Sequence, residues 1–261
     1  MTNSKDYVIF FDIDGTLTDN VNHTIPPGVQ QGLMLLKENG YKLCISTGRR
    51  LNAIKSNIFK LISWDGFVCI NGQAIYDSNK KLICKKGLNI ESINQAIQLA
   101  NASNTSIEAK TINDSFVINF IDDNISQAFD FFHMPVPRLE MNYDLNDIIA
   151  LMVCRDINSN YDDFKKIPNV EVFPGMSSYA DINAKNINKY TGIKIMIDHF
   201  KCSKYIAFGD SLNDFDMLVH ADISIAMGNC HPELRKIANH ITSRPEENGI
   251  LHAVHWLLKT I

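Results

Sequence analysis

Short apolar segments, which lack the alternation of a half-exposed strand, constrain the fold of this chain most strongly. Residues 7–11, 42–45 and 67–70 are such segments, and we predict that each is a strand buried on both faces of a sheet. The residues between the first two follow helical spacing and end at an Asn-Gly pair, a common helix stop. Because strands and helices alternate, we predict right-handed crossovers and an α/β fold with a doubly wound, Rossmann-like parallel sheet.

The alternation is interrupted in the middle of the chain and resumes later. Strands are predicted again at residues 205–208 and 223–227, followed by a closing helix at 251–258. The intervening residues combine an amphipathic helix with alternating strands, which is typical of an α+β unit. We therefore predict a core formed by residues 1–82 and 185–261, interrupted by an inserted α+β domain at residues 83–184.

Composition and charge exclude several kinds of partner. The chain has 261 residues and a net charge of −4, so it lacks the basic surface expected of a protein that binds nucleic acid or an anionic membrane. No segment approaches the roughly 20 apolar residues of a membrane span, and the N-terminus lacks the apolar segment of a secretory signal. The cysteines form no C-x-x-C pair. These features predict a cytoplasmic protein without a nucleic-acid or membrane partner.

Four short polar segments each fall at the carboxyl end of a predicted strand. They are Asp12-Ile13-Asp14, Ser46-Thr47-Gly48-Arg49, the segment around Lys189 that opens a helix, and Gly209-Asp210-Ser211-Leu212-Asn213-Asp214. Each segment taken alone is most simply a turn or a helix cap. Because the carboxyl ends of parallel strands meet at one edge of a sheet, their joint occurrence predicts a ligand site there.

The residue types at this edge suit the transfer of a phosphoryl group. The Asp12 carboxylate can attack phosphorus and form an aspartyl phosphate. Asp14 can protonate the leaving alkoxide and then deprotonate the water that hydrolyses the intermediate. Asp210 adds a third negative charge, which a hard divalent cation such as Mg²⁺ would offset. Thr47 and Lys189 would hold the non-bridging oxygens. The sequence therefore predicts a magnesium-dependent phosphohydrolase.

The same segments resemble the motifs of a known family. The runs that look like motifs I, II and IV of the haloacid dehalogenase superfamily are Asp12-Ile13-Asp14-Gly15-Thr16, Ser46-Thr47-Gly48-Arg49 and Gly209-Asp210-Ser211-Leu212-Asn213-Asp214. The resemblance covers essentially the whole chain and fits best the Cof-type sugar-phosphate phosphatases of the type II, subclass B branch. It implies a hydrolase core, a cap domain that selects the substrate, Mg²⁺ as cofactor and a small phosphorylated metabolite as substrate.

The resemblance also implies a role for each matching residue. Asp12 is expected to be the nucleophile and Asp14 the general acid and base. The expected magnesium ligands are the Asp12 carboxylate, the Asp14 backbone carbonyl and Asp210, with Asp214 in or near the coordination shell. The groups expected to bind the phosphoryl group are Thr47, Gly48, Lys189, Asn213 and the backbone N–H of Ile13.

Three assignments are less direct. The lysine motif lacks the glycines that flank it in many relatives, and Lys185 competes with Lys189. The distance to the end of the following helix, near residue 200, favours Lys189. Ser46 is a weaker candidate than Thr47, because the family's hydroxyl directly precedes the glycine. Arg49 is either a solvated charge or a contact to the substrate or the cap.

Two alternatives to hydrolysis use the same residues. Transfer of the phosphoryl group to a sugar hydroxyl, as in the related phosphomannomutases, would need several basic residues in the cap, and the lysines and arginines there form no obvious cluster. A non-catalytic regulator that only binds a phosphorylated ligand would have little use for Asp14. Hydrolysis is therefore favoured, while neither the substrate nor the oligomeric state is predicted.

Overall fold

The computed structural model describes residues 7–19, 21–175 and 177–260. The N-terminal residues, from which the absence of a secretory signal was predicted, lie outside this range. The described residues form two compact units: those within 7–49, 53–84 and 188–260 make up the first, and those within 50–52 and 85–187 make up the second. Every helix within the described ranges is too short or too polar to span a lipid bilayer.

Both units contain strands and helices. The strands are β1 (Tyr7–Phe11), β2 (Lys42–Ser46), β3 (Gly66–Cys69), β4 (Ala74–Asp77), β5 (Leu82–Lys85), β6 (Ser106–Lys110), β7 (Ser115–Val117), β8 (Ala150–Cys154), β9 (Val170–Pro174), β10 (Tyr179–Ala184), β11 (Lys204–Gly209), β12 (Ile223–Ala226) and β13 (His240–Ile241). The α-helices are α1 (Pro27–Glu38), α2 (Ser56–Phe59), α3 (Ile90–Ala102), α4 (Asp123–Phe131), α5 (Lys189–Phe200), α6 (Phe215–Val219), α7 (Pro232–Ile237) and α8 (Gly249–Thr260).

The first unit is built on an eight-stranded sheet in the order β13-β12-β11-β1-β2-β3-β4-β5. β1 pairs in parallel with both β2 and β11, whereas β4 runs antiparallel to β3. The predicted α/β fold with a mainly parallel sheet is confirmed. Because β1 and β11 are neighbours although they are far apart in the sequence, the loops that follow them meet at the same edge of the sheet.

Both faces of β1 are buried, as its apolar sequence predicts. Val8 and Phe10 belong to an apolar cluster that also contains Ile193 of α5, Met217 of α6 and Leu234 of α7. The residues that alternate with them in the strand are buried as well. A strand covered on both sides is held rigidly, so the loop at its carboxyl end has a well-defined position.

The second unit contains a five-stranded sheet in the order β7-β6-β8-β10-β9. Its strand pairs are antiparallel. On one face, Leu151 of β8 belongs to an apolar cluster with Ile93 of α3. On the other face, Met152 of β8 packs in a second cluster with Phe129 of α4. Helices beside an antiparallel sheet give this unit an α+β composition.

Some boundaries differ from the sequence-based prediction for a local reason. The third strand was predicted to include Ile70, but β3 ends at Cys69. Ile70 and Asn71 both have φ values of 50°, which places them in the left-handed region and stops the strand. The structure also contains strands β4, β5, β6 and β13, which were not predicted because none of these short segments shows a sustained pattern of alternating or continuous apolar residues.

Candidate active site

Asp12 lies at the carboxyl end of β1, between the ends of β2 and β11. Its backbone N–H donates to the carbonyl of Phe208 over 3.1 Å, which extends the pairing with β11 one residue beyond β1. The carbonyl of Ile13 then accepts the backbone N–H groups of Leu17 and Thr18, each over 2.9 Å, and closes a tight loop. Asp12 is only 5% exposed, so its carboxylate is in a place that disfavours a negative charge.

Lys189 is the first residue of α5, and its ammonium group contacts two carboxylates. The helix begins there because Asn188 and Thr191 form a capping box, in which each side chain accepts the other residue's backbone N–H over 3.0 Å. Lys189 Nζ donates to Asp12 over 2.7 Å and to Asp214 over 2.6 Å. The preceding strand, β10, belongs to the second unit's sheet. The prediction that this segment follows a strand of the parallel sheet is therefore wrong, because the start of a helix positions the lysine.

The loop that follows β11 contributes two further carboxylates. Asp214 Oδ2 accepts the backbone N–H groups of Asp210 and Ser211, each over 3.0 Å, while its other oxygen accepts from Lys189. Asp214 therefore fixes both the loop and the lysine. Glycine is required at position 209 because the side chain of Asp214 packs against its backbone. A Cβ atom there would lie 2.7 Å from the Cβ of Asp214.

Asp12, Asp210 and Asp214 form a buried cluster of possible cation ligands. One carboxylate oxygen of each lies within 4.8 Å of the other two. The cluster has three carboxylates and one contacting lysine, so it carries excess negative charge at a buried position. Oxygen donors are the ligands that Mg²⁺ prefers in proteins. The residues present therefore fit a divalent cation.

The charges of this cluster affect one another's protonation. Burial raises the pKa of Asp12, the ammonium of Lys189 lowers it, and the neighbouring Asp214 and Asp14 raise it, with a net result of about 7. Burial alone would lower the pKa of Lys189, but Asp12 and Asp214 raise it above its ordinary value. Lys189 therefore stays charged. Further positive charge near Asp12 would favour the ionised form of the Asp12 carboxyl group. Lys185, the alternative lysine, is exposed and belongs to the second unit.

Arg49 holds Asp14 in a two-point ion pair. Its Nε and Nη2 atoms donate to the two carboxylate oxygens of Asp14 over 2.7 and 2.8 Å, and His23 Nδ1 lies 3.4 Å from Asp14 Oδ1. Burial would raise the pKa of Asp14, but Arg49 and His23 lower it below its ordinary value. The Arg49 side chain is only 9% exposed, so its interpretation as a solvated charge is wrong. Sequence reasoning missed His23, which lies in a loop without a recognisable motif.

Thr47, Gly48 and Asn213 are linked through Asn71. Asn213 Nδ2 donates to Asn71 Oδ1 over 3.1 Å, and the backbone N–H of Asn71 donates to the carbonyl of Thr47 over the same distance. A Cβ atom at Gly48 would lie 3.2 Å from Asn71 Oδ1, so the two residues are in close contact. Thr47 is 1% exposed, and its Oγ1 accepts the backbone N–H of Arg49 over 3.2 Å.

The backbone around Asn71 is left-handed over three residues. The φ values are 50° for Ile70 and Asn71 and 94° for Gly72, and a positive φ at a β-branched residue costs about 1–3 kcal/mol. A Cβ atom at Gly72 would lie 2.0 Å from the carbonyl oxygen of Asn188, so glycine allows the start of α5 to pack on this turn. Sequence reasoning identified Asn71-Gly72 only as a turn and missed its contacts with the site.

Comparison with known proteins identifies the family. The family model described as haloacid dehalogenase-like hydrolase matches residues 9–254. The chain is 28% identical over 255 residues to the 5-amino-6-(5-phospho-D-ribitylamino)uracil phosphatase YcsE of Bacillus subtilis (strain 168), with 96% of each chain covered. It is 26% identical over 258 residues to the phosphoglycolate phosphatase of Nitrosopumilus maritimus (strain SCM1), with 94% of each covered.

Solved structures of similar proteins have the same fold. The subclass IIB sugar phosphatase BT4131 of the haloacid dehalogenase superfamily matches with a TM-score of 0.86 at 25% identity, covering 96% of this chain and 98% of the other. BT1666 of Bacteroides thetaiotaomicron matches with a TM-score of 0.84 at 22% identity, covering 96% and 94%. The chain therefore belongs to the haloacid dehalogenase-like hydrolases, and within them it is a phosphatase.

Proposed function

We propose that this phosphatase hydrolyses small phosphate monoesters, most of all sugar phosphates, in a magnesium-dependent reaction that passes through a phosphoryl group on Asp12. The observation that carries the proposal is the buried Asp12 carboxylate, with Lys189 Nζ at 2.7 Å and two further carboxylates within 4.8 Å. Packing alone gives no reason to bury so much negative charge, whereas a site that receives a cation and a phosphate requires it.

In the first step, a carboxylate oxygen of Asp12 attacks phosphorus as the bond to the leaving oxygen breaks. Lys189 holds the attacking carboxylate by donating to one of its oxygens. Mg²⁺, when bound by the Asp12 carboxylate, the Asp14 backbone carbonyl and Asp210, with Asp214 in or near its shell, would offset the charge of the carboxylates and the phosphate. The ionised form of Asp12 that attack requires is then favoured at neutral pH.

Asp14 serves as the proton carrier of both steps in this proposal. Its pair with Arg49 favours the ionised form, which suits the second step, where Asp14 deprotonates the water that hydrolyses the phosphoryl group on Asp12. To protonate the leaving group in the first step, Asp14 must itself carry a proton, which requires that its ion pair with Arg49 be weakened. Arg49 is thus proposed to set the protonation of Asp14 and not simply to bind substrate.

The transferred phosphoryl group is proposed to bind a set of donors within the first unit. These are Thr47, the backbone of Gly48, Lys189, Asn213 and the backbone N–H of Ile13. The links of Asn71 to Asn213 and Thr47 support the proposal, because they keep two of the donors in fixed positions.

The second unit is proposed to act as a cap, with residues 83–184 as its sequence-based limits, that selects the leaving group. The names of similar proteins suggest the class of substrate: YcsE is named for a phosphorylated ribitylamino compound, and BT4131 is called a sugar phosphatase. Both names point to leaving groups rich in hydroxyls. Sugar and sugar-alcohol phosphates are therefore the first substrates to test.

Phosphate release from a panel of esters tests the proposal directly. The panel contains p-nitrophenyl phosphate, hexose and pentose phosphates, a phosphorylated ribitylamino compound and phosphoglycolate, each with Mg²⁺ or with EDTA. We expect turnover with Mg²⁺ only, with no detectable activity in Asp12→Asn and a loss of about 10²–10⁴-fold in Asp14→Asn. Asp162→Asn, which removes an exposed carboxylate of the second unit, is the matched control.

The same assay separates the alternatives. If the wild-type protein releases no phosphate from any ester in the panel, hydrolysis is wrong and a regulator that only binds its ligand is favoured. If phosphate appears on an added sugar instead of in solution, a phosphotransferase is favoured. Activity that persists in EDTA would contradict the magnesium dependence.

A further inference from the structure

Asn229 connects two of the loops that form the proposed cation site. It follows β12, and its side-chain Nδ2 donates to the carbonyl of Gly15 over 3.0 Å and to Asp210 Oδ2 over 3.2 Å. Gly15 directly follows Asp14, whose carbonyl is a proposed cation ligand, and Asp210 is another. One amide nitrogen therefore fixes both ligand-bearing loops relative to each other.

The other side-chain atom, Asn229 Oδ1, is buried and makes no hydrogen bond to any of the described residues. Exchanging the nitrogen and oxygen of this amide would not help, because Oδ1 would then face two acceptors, the Gly15 carbonyl and the Asp210 carboxylate. The contacts of Nδ2 thus determine the orientation of the amide. A buried acceptor without a donor costs about 1–3 kcal/mol, and such an atom calls for a partner.

We propose that Asn229 is a positioning residue for the cation, and that Oδ1 accepts a hydrogen bond from a water molecule bound to that cation. The inference rests on the proposed magnesium dependence. Mg²⁺ keeps several of its waters when carboxylates bind it, so water molecules that can donate hydrogen bonds are expected beside Asp210. The Asn229 amide can therefore donate its N–H groups to Asp210 and Gly15 and accept a hydrogen bond from such a water through its oxygen.

Asparagine suits this position better than the residues closest to it in size. Aspartate would lose both N–H donors and add a fourth carboxylate to a cluster that is already rich in negative charge. Leucine has a similar shape but neither donates nor accepts. The Asn229→Leu variant therefore removes the hydrogen bonds while keeping the branched shape of the side chain.

Cation affinity measures this role without relying on activity. Mn²⁺, which prefers the same oxygen ligands, is titrated into metal-free protein and the free ion is counted by electron paramagnetic resonance. We expect Asn229→Leu to weaken Mn²⁺ binding by about 10–100-fold, the usual effect of losing a residue that orients a ligand, and Asp210→Asn to weaken it further. Asn239→Leu is the control, because this asparagine accepts its hydrogen bonds from the backbone and side chain of Ser224 in β12.

The outcomes distinguish this inference from the proposed function. If wild-type protein binds no Mn²⁺, the magnesium dependence is wrong. If the wild type binds but Asn229→Leu binds equally well, Oδ1 serves an ordinary bound water and the inference is overturned. Should Asn229→Leu fail to fold, as judged by circular dichroism, Asn229→Ala provides the same comparison without added bulk. A loss of affinity in Asn239→Leu equal to that in Asn229→Leu would also overturn the inference, because it would reflect general destabilisation.

Discussion

Each unit places a lysine beside carboxyl groups, but the two clusters differ in their balance of charge. In the first unit, Lys189 contacts Asp12 and Asp214, and Asp210 lies within 4.8 Å of both aspartates. In the second unit, Lys110 Nζ lies 2.6 Å from Asp181 Oδ1. A buried ion pair is weak evidence of function on its own, so the comparison depends on the remaining charge.

The second cluster can reach neutrality without a ligand, and the first cannot. Glu108, which is 3% exposed, has a pKa raised by burial, although Lys110 lowers it. Arg50 acts on both Glu108 and Lys110 as well. The two cations Lys110 and Arg50 therefore match the two carboxylates Glu108 and Asp181. Around Lys189, protonation of one carboxylate still leaves two negative charges for one ammonium. Excess negative charge, and not burial alone, therefore supports the proposed cation site in the first unit.

Replacing each lysine by methionine tests the comparison with the largest expected effect. Removing one partner from a buried ion pair typically costs about 3–5 kcal/mol. We therefore expect Lys189→Met to lose about that much unfolding free energy in EDTA, measured by urea denaturation. Its kcat/KM should fall by about 10³-fold, because the proposed mechanism has the lysine hold both the nucleophile and the phosphate.

Lys110→Met is the matched variant. It should lower stability, because Asp181 loses its ion pair with Lys110. It should leave turnover of p-nitrophenyl phosphate within about threefold, since the proposed mechanism gives the second cluster no role in the chemical steps. A fall in turnover equal to that of Lys189→Met would show that the difference in charge balance between the two units is not a guide to function.

Adding Mg²⁺ should also distinguish the two clusters, through a smaller change in the free energy of unfolding. A ligand at 100 times its Kd stabilises the folded state by about 2.7 kcal/mol, and we expect that gain in the wild type and in Lys110→Met. Asp210→Asn should melt at a higher temperature than the wild type in EDTA, because one of three crowded carboxylates is neutral, yet gain nothing from Mg²⁺. Thermal unfolding with and without the ion checks both statements, and a normal Mg²⁺ response in Asp210→Asn would contradict the proposed ligand set.

The turn at Asn71 offers a test of position rather than charge. Glycine tolerates a φ of 50° but provides no acceptor for Asn213, and losing one such hydrogen bond costs about 1.4 kcal/mol. We expect Asn71→Gly to lower kcat/KM about tenfold. The loss should vanish when Asn213 is already alanine, as a double-mutant cycle would show.

Asn104→Gly is the control for the turn, because Asn104 also has a positive φ, of 49°, but is exposed in the second unit. It should leave kcat/KM unchanged. If Asn71→Gly behaves in the same way, the left-handed turn serves only the fold of the first unit.

The sequence predicted the parts of the site that short local patterns specify. Asp12 and Asp210 follow strands of apolar residues, and such strands bring their carboxyl ends to one edge of a parallel sheet. Lys189 could be placed by its distance from the end of a helix. His23, Asn71 and Asn229 could not be assigned contacts, because each acts through a side chain that contacts a residue distant in the sequence or in a loop without a regular pattern. The strand before Lys189 was assigned to the wrong sheet, since periodicity does not reveal pairing partners.

The smallest predicted effect concerns Glu108, one of the two carboxylates that face Lys110 and Arg50 in the second cluster. Its pKa is raised in the folded protein, so the folded state holds this proton more tightly than the unfolded state does. The resulting stability is fully present below the ordinary pKa of a glutamate and is lost as the pH rises through the raised value.

The Glu108→Gln variant tests this expectation, because it keeps a neutral side chain at every pH. We therefore expect the wild type to lose stability relative to Glu108→Gln, on the order of 1 kcal/mol, as the pH rises from about 4 to 7. Urea denaturation at several pH values measures the difference, with Glu91→Gln on the exposed start of α3 as the control. If the difference stays constant across this range, Glu108 titrates alike in the folded and unfolded states, and burial does not raise its pKa.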